Sequence, residues 1–166
     1  MTAQKDCMRN RTLVTAMLGV MLTAPIVSAM AQENTATIER GRYLVLIGHC
    51  NNCHTAGYAA AAGKLPEERW LKGNPVGWRG RKGTTYAINL RIYFQNLPEE
   101  TWLHVARNGQ SRAPMPWWSL RDMNDEDLKA MYRYIRSLRP LGKPAPGFLP
   151  PDKTPPRPYQ QLPDMS

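Results

Sequence analysis

The sequence predicts a small all-α domain with long loops and an extended C-terminal tail. Three segments carry apolar residues at helical spacing, and no segment shows the sustained two-residue alternation of a half-buried strand. Residues 55–95 indicate turns and loop, and a loop of this length in a compact domain is typical of one that wraps a bound group. Apolar residues make up 42% of the chain and charged residues 21%, which excludes a disordered chain and a multi-span membrane protein.

The first two helices are predicted in residues 38–47 and 97–108. The apolar positions of the first are Tyr43, Leu44 and Ile47. In the second, Pro98 suits the first turn and the acidic residues after it favour the positive helix end. At its far end, Asn108 and Gly109 indicate a left-handed cap.

The third predicted helix begins at Asn124 and ends before Pro140 and Gly142. Acidic side chains fill its first turn, residues 125–127. Its apolar positions, at intervals of three and four, are Leu128, Met131, Tyr132, Ile135 and Leu138. This spacing predicts one buried face.

Residues 1–31 have the pattern of a secretory signal peptide. Lys5, Arg9 and Arg11 precede an uncharged stretch, residues 12–30, which ends at a small-x-small cleavage signature. We expect the mature chain to begin at Gln32, with 19 basic and 12 acidic residues. An uncleaved N-terminal anchor is the alternative, although the apolar run is short for a bilayer span.

The folded domain is predicted in residues 32–141 and a proline-rich extension in residues 142–166. Nine of the 15 prolines fall between Pro140 and Pro163. Because proline lacks the amide donor and holds an extended backbone, this tail is expected to lack regular structure. Contact with the domain through Phe148, Leu149 and Tyr159, and a plain flexible extension, are both open.

Residues 50–54, Cys-Asn-Asn-Cys-His, form the C-x-x-C-H signature of covalent haem attachment. Thiols three positions apart, Cys50 and Cys53, reach the two vinyl groups of a porphyrin and form thioethers. The adjacent His54 then ligates the iron. The sequence therefore predicts one covalently bound haem c.

Three other interpretations of the cysteine pair fit less well. A structural zinc site needs four ligands, and the three histidines of the chain lack the finger spacing. A thioredoxin-like pair follows a strand in a βαβ pattern, which the sequence does not show. A disulfide between Cys50 and Cys53 would close a very short, strained loop.

Met115 is the predicted sixth iron ligand. Prolines on both sides stiffen the backbone around its sulfur, and thioether ligation raises the reduction potential, which suits electron transfer. Met123 is the rival methionine, and His49 and His104 are weaker rivals. Met131 lies on the apolar face of the third helix and fits a core position.

With these motifs in view, the chain resembles a single-haem cytochrome c domain, and most closely the cytochrome c subunits of bacterial membrane-bound alcohol and sugar dehydrogenases. The segments that carry the resemblance are residues 41–44, 50–55, 86–90, 114–117, 125–128 and 134–138. Those subunits carry several haems in one chain, whereas this chain has one motif.

The resemblance implies that the first and last helices cross, with Gly41 allowing a close approach near Tyr134. It implies His54 and Met115 as the axial ligands. It also implies four further residues around the haem: Tyr86 and Asn89 on a loop near its edge, and Trp102 and Trp117 lining the pocket.

The predicted function is periplasmic electron transfer between redox partners such as a dehydrogenase and the respiratory chain, with no catalytic residue. The alternative is a haem enzyme or sensor with a displaceable sixth ligand, acting on a small molecule or a sulfur compound. A basic loop either docks on an acidic redox partner or is simply a solvated charged surface, and both interpretations are open. Its basic residues are Lys64, Arg69, Lys72, Arg79, Arg81 and Lys82. Nucleic acid is not an expected partner, and a membrane is expected only through a partner or an uncleaved signal.

Overall fold

The computed structural model describes residues 24–110 and 112–163, with side chains from residue 32 onward. The chain divides into two compact units, residues 1–36 and 37–166, and the described part of the first unit is helical. Most of the predicted signal peptide lies outside the described residues. Within them, no helix is long and apolar enough to cross a membrane.

Helices are the main elements of the fold, with a small three-stranded sheet beside them. The helices are α1 (Ala24–Ile47), α2 (Cys50–His54), α3 (Leu90–Tyr93), α4 (Glu99–Asn108), α5 (Trp117–Arg121) and α6 (Asp125–Ser137). Two 3-10 turns span Glu67–Arg69 and Phe94–Asn96. The strands are β1 (Gly77–Gly80), β2 (Gly83–Thr85) and β3 (Tyr159–Gln161).

Helix α1 begins earlier than predicted, because neither proline nor glycine interrupts it between Pro25 and Gly41. Its buried face also differs from the prediction. Leu44 is buried, as expected, but Tyr43 and Ile47 are half-exposed and the adjacent Val45 is fully buried.

The buried face of α1 differs from the predicted one because α1 and α6 cross closely at Gly41. A Cβ atom there would lie 2.0 Å from the carbonyl oxygen of Ala130 and 2.7 Å from the Cβ of Tyr134. The predicted approach is therefore confirmed. It turns the Gly41, Leu44 and Val45 side of the helix towards α6 and leaves Tyr43 facing away.

Helix α6 begins as predicted. The Asn124 side chain caps it by accepting a hydrogen bond from the Asp127 amide at 2.7 Å. Leu128, Met131 and Ile135 are buried, whereas Tyr132 and Leu138 are half-buried at the edge of the core.

Helix α4 ends at Asn108 as predicted and begins at Glu99, two residues later than predicted, but the predicted left-handed cap at Gly109 is wrong. Gly109 has φ −66° and ψ 152°, which is extended backbone. Glycine is needed at this position because of packing and not because of backbone conformation. A Cβ atom there would lie 2.4 Å from the indole ring of Trp117. Glycine thus lets Trp117 pack across the end of α4.

The prediction of an all-α fold holds for the helices and is wrong for residues 77–85. Strands β1 and β2 form a tight antiparallel hairpin in which Trp78 pairs with Thr85 and Gly80 with Gly83. With three or four residues each, and glycine at three positions, these strands are too short to show a two-residue period.

The prediction that the tail lacks regular structure is also wrong at one place. Strand β3 pairs in parallel with β1, with Gly77 opposite Tyr159 and Arg79 opposite Gln161. Before it, Leu149 exchanges two backbone hydrogen bonds with Thr84, of 2.8 and 3.0 Å. The tail therefore lies along the domain, and the hairpin supplies the hydrogen-bonding edge that it needs.

Candidate functional site

The C-x-x-C-H motif forms the short helix α2, which follows His49 in a left-handed conformation (φ 56°). Because Cys50 and Cys53 are three residues apart, their side chains lie about one helical turn apart, on one side. Both are half-buried free thiols. Burial raises the pKa of Cys50 to about 11 and raises that of Cys53 as well, so both sulfurs carry a proton at neutral pH.

The imidazole of His54 is held in one tautomer. Its Nδ1 lies 2.8 Å from the carbonyl oxygen of Ile88, and because a carbonyl only accepts, Nδ1 carries the proton and donates. Burial lowers the pKa of His54, which keeps the ring neutral. The lone pair is therefore on Nε2, which is the form that ligates a metal.

Residues next to the motif anchor it to the loop that follows. The Thr55 hydroxyl donates to the Asn51 side-chain oxygen at 2.6 Å and accepts from the Leu71 amide at 2.7 Å. The Gly73 amide donates to the His54 carbonyl at 2.8 Å. Among the described residues, Asn51 Nδ2 and Thr84 Oγ1 are the buried side-chain N and O atoms without a hydrogen-bond partner.

Met115 lies in the turn between α4 and α5, half-buried against the hydrophobic core. Backbone hydrogen bonds from the Met115 amide to the Arg112 carbonyl (3.3 Å) and from the Trp117 amide to the Met115 carbonyl (3.0 Å) shape this turn. The Trp117 indole ties it to α4 by donating to the Ala106 carbonyl at 3.1 Å.

The rival ligands occupy different surroundings. Met131 is 3% exposed and belongs to the core. Met123 packs at the edge of that core, at the end of α5. His49 is exposed at the start of α2, and the exposed His104 is held by Asn108 on α4.

Of the four further residues that the resemblance implies, two lie in the loop after the hairpin. Asn89 is the N-cap of α3, since its side-chain oxygen accepts from the Ile92 amide at 3.1 Å. Its Nδ2 donates to the carbonyls of Leu141 and Lys143. Tyr86 is buried, with its ring against Gly77.

The other two belong to α4 and α5: Trp102 lies within α4, and Trp117 is the first residue of α5. Trp102 is 4% exposed, and its indole donates to the Leu128 carbonyl at 2.9 Å while its ring packs on Phe94 at 4.8 Å. It is thus part of the packing between α4 and α6. Trp117 is half-buried against the core, two residues after Met115, and its pocket-lining role stays a prediction.

The predicted basic loop is only partly a free surface. Lys64, Arg69, Arg81 and Lys82 are exposed. The guanidinium of Arg79, in contrast, donates to the Lys153 carbonyl and so holds the tail. The acidic Glu67 in the same loop is paired with Arg42 at 3.2 Å, which neutralises part of its negative charge.

The donor set fits a covalently attached haem. Two free thiols on one helical turn match two vinyl carbons, and a neutral imidazole with its lone pair on Nε2 matches an axial position. Met115 supplies a thioether from a turn that the backbone and Trp117 hold. In the described part of the chain, no three side chains of His, Cys, Asp or Glu come together as a metal-binding group.

Two features of this site carry no signal in the sequence. The acceptor for His54 is a backbone carbonyl, that of Ile88, and any residue type supplies one. The other is a stacked pair outside the motif: the guanidinium of Arg112 lies 4.1 Å from the ring centre of Phe148 in the tail.

A family model described as cytochrome C oxidase, cbb3-type, subunit III matches residues 36–135. One of the subunits of the nicotinate dehydrogenase of Pseudomonas putida is 31% identical over 124 residues, which are 68% of this chain and 10% of that protein. The gluconate 2-dehydrogenase cytochrome c subunit of Pantoea cypripedii is 30% identical over 136 residues, 75% of this chain and 28% of the relative.

A third relative is the cytochrome c subunit of the quinone alcohol dehydrogenase of Gluconacetobacter polyoxogenes. It is 26% identical over 151 residues, 82% of this chain and 30% of that subunit. The chain thus spans less than a third of the length of these relatives. No solved structure matches it significantly. The predicted resemblance to dehydrogenase cytochrome c subunits is confirmed.

Proposed function

This chain belongs to the family of c-type cytochrome domains described as cytochrome c oxidase, cbb3-type, subunit III, and we propose that it transfers single electrons through one haem c in the periplasm. Cys50 and Cys53 would hold the haem through thioethers, and His54 and Met115 would ligate its iron. The observation that carries this proposal is the hydrogen bond from His54 Nδ1 to the Ile88 carbonyl, which leaves Nε2 to the iron.

When bound, the haem supplies an iron centre that cycles between the ferric and ferrous states. The chain's own residues then decide how that centre behaves. The Ile88 carbonyl orients the His54 ring and makes it more basic, because a hydrogen-bond acceptor at Nδ1 raises the electron density at Nε2. A thioether ligand from Met115 would favour the ferrous state and raise the reduction potential.

Both the relatives and the site support a carrier rather than a catalyst. The gluconate and alcohol dehydrogenase relatives are named as cytochrome c subunits, and such a subunit passes on electrons that another subunit takes from the substrate. We propose the same division of work here: a dehydrogenase is the donor and a component of the respiratory chain is the acceptor. The exposed basic residues of the loop, Arg81 among them, steer docking onto an acidic partner.

An absorption spectrum of the exported holoprotein tests the ligand assignment. We expect a reduced spectrum that carbon monoxide does not change, because His54 and Met115 fill both axial positions. Met115→Ala opens one position and binds carbon monoxide. Met123→Ala is the matched control, since it removes a half-buried methionine at the core edge and leaves the spectrum as in the parent.

Two outcomes would overturn parts of this proposal. A parent protein that binds carbon monoxide readily has a labile sixth position, and the haem enzyme or sensor then becomes the better interpretation. Haem that is lost on acid extraction contradicts the thioether bonds to Cys50 and Cys53.

The periplasmic location is supported by the charge pattern of the N-terminus, with three basic residues before an uncharged stretch. N-terminal sequencing of the protein from the periplasmic fraction tests it, and we expect the sequence to start at Gln32. The docking proposal is tested separately: a reaction rate with the partner that does not change with ionic strength would contradict it.

A further inference from the structure

We propose that the C-terminal tail positions the Met115 turn through the stacking of Arg112 on Phe148, and so keeps the axial methionine in place. This inference rests on the proposed function, because Met115 matters as a ligand only if iron is present. It assigns a role to the proline-rich segment, residues 142–163, for which the family match at residues 36–135 supplies none.

The tail is fixed to the domain at several points along its length. Leu149 exchanges two backbone hydrogen bonds with Thr84, and the Arg79 guanidinium donates to the Lys153 carbonyl at 3.2 Å. Strand β3 then adds to β1, and the Leu162 amide donates to the Arg79 carbonyl at 2.8 Å. Because backbone groups make most of these bonds, they hold the path of the tail whatever the side chains do.

The start of the tail is attached next to the His54 side of the site. Asn89 Nδ2 donates to the Leu141 carbonyl at 2.9 Å and to the Lys143 carbonyl at 3.2 Å. Asn89 directly follows Ile88, whose carbonyl accepts from His54. One end of the tail is thus tied to the segment that orients the proximal histidine.

Phe148 connects this fixed tail to the Met115 turn. One edge of its ring lies against Gly83, where a Cβ atom would come within 2.7 Å of Cζ. The guanidinium of Arg112 lies over the ring at 4.1 Å from its centre, well inside the range of a cation–π contact. The hairpin therefore supports the ring, and the ring supports Arg112.

Arg112 transmits this support to Met115 because the two residues share one turn. The Met115 amide donates to the Arg112 carbonyl at 3.3 Å, and the Trp117 amide donates to the Met115 carbonyl at 3.0 Å. If Arg112 moves away from Phe148, the first of these bonds is strained directly. The tail thus contacts Asn89, which follows the carbonyl that holds His54, and Arg112, which belongs to the Met115 turn.

The experiment compares the parent holoprotein with Phe148→Ala and Phe148→Trp. Hydrogen exchange of the Met115 and Trp117 amides reports opening of the turn, and the rate of cyanide binding to the ferric protein reports release of the methionine from iron. An exposed cation–π contact predicts that both rates rise about two- to fivefold in Phe148→Ala. Phe148→Trp restores the parent rates, because indole keeps the contact.

Tyr159→Ala is the matched control. It removes another aromatic ring of the tail, one whose cationic partner, Arg157, also belongs to the tail. We expect the exchange of the Met115 amide and the cyanide rate to stay at the parent values.

Three results would overturn the inference. Parent rates in Phe148→Ala show that the stacking does not hold the turn. Equal acceleration in Tyr159→Ala shows a general loosening of the tail and no specific contact. The third result assumes that the Met115→Ala test has already identified Met115 as the ligand. Faster amide exchange in Phe148→Ala without faster cyanide binding then shows that the stacking stabilises the turn but does not keep Met115 on the iron. Failure of the proposed function is recognised separately, because the carbon monoxide response of Met115→Ala is measured on its own.

Discussion

The helical half of the molecule and its loop half are stabilised in different ways. In the helical half, formed by α1, α4 and α6, side chains at intervals of three and four bury one another, and Gly41 lets two helices touch through their backbones. In the loop half, formed by the hairpin, the Met115 turn and the tail, backbone hydrogen bonds join segments that are far apart in sequence.

This difference separates the stability of the fold from control of the site. Side-chain packing in the helical half is extensive, so a small misfit there lowers the stability of the whole domain. The bonds of the loop half connect distant segments at separate points, and some of them lie next to the residues proposed to orient His54 and Met115. Breaking them is expected to change access to the site before it unfolds the protein.

The largest effect is expected in the helical half, from Gly41→Ala. The new Cβ atom would lie 2.0 Å from the carbonyl oxygen of Ala130, and backbone on both helices has to move to make room. We expect the free energy of unfolding to fall by about 3 kcal/mol or more, at the upper end of the range for overpacking. Urea unfolding of the holoprotein, followed by circular dichroism, measures it.

Gly147→Ala is the control for this change. Its new Cβ atom would meet no atom within 4 Å, so we expect a change within about 0.5 kcal/mol. A loss below about 1 kcal/mol in Gly41→Ala would show that the two helices separate easily, and the comparison between the halves would then fail.

The same difference explains how much of the molecule could be predicted from its sequence. Helix α6 was predictable because its period, its Asn124 cap and its stop before Pro140 agree. The motif at Cys50, Cys53 and His54 was predictable because the chemistry requires that order. Both signals are local, and each lies within a few turns of chain.

The loop half is poorly predicted because its partners are distant. Gly77 pairs with Tyr159 and Arg112 stacks on Phe148, and neither contact leaves a pattern in the neighbouring residues. The acceptor of His54 is a backbone carbonyl, to which the side chain of Ile88 contributes nothing. Gly109 shows a related error, since its position in the sequence favours a turn residue, whereas in the fold it makes room for a ring.

An intermediate effect is expected in the loop half, from Gly83→Ala. Gly83 has φ +117°, and a Cβ atom there would lie 2.3 Å from the Leu149 carbonyl oxygen. Since the tail is able to move away, we expect a loss of about 1–2 kcal/mol in the free energy of unfolding. Hydrogen exchange of the Leu149 amide, and cleavage of the tail by protease, measure the release directly.

Gly57→Ala separates backbone strain from contact. Gly57 also has a positive φ, +79°, but nothing lies within 4 Å of the added Cβ atom. It is therefore expected to cost about 1 kcal/mol from the backbone alone and to leave the Leu149 amide protected. Equal release of the tail in both variants would mean that contact with Leu149 and Phe148 does not hold it.

The smallest effect is a pH dependence of the helical half. Arg40 donates two hydrogen bonds to Asp127, at 2.8 and 3.0 Å, which join α1 to the first turn of α6 and lower the pKa of Asp127. A carboxyl whose pKa is lower in the folded state stabilises fully above its unfolded value, about 3.9, and loses that contribution as the pH falls through the folded value. Unfolding free energy therefore declines in that acid range.

Arg40→Gln sharpens the contrast between the halves. It is expected to lower the unfolding free energy slightly at pH 7 and to flatten the acid decline, so the two unfolding curves meet once Asp127 is protonated in both proteins. Tail protection at Leu149, measured by exchange at pH 7, is expected to match the parent, because that contact joins backbone groups to backbone groups. An acid decline of parent steepness in Arg40→Gln would show that Asp127 is not the group that titrates. Loss of protection at Leu149 in the same variant would show that the tail depends on the helix crossing, and the two halves would then be one cooperative unit.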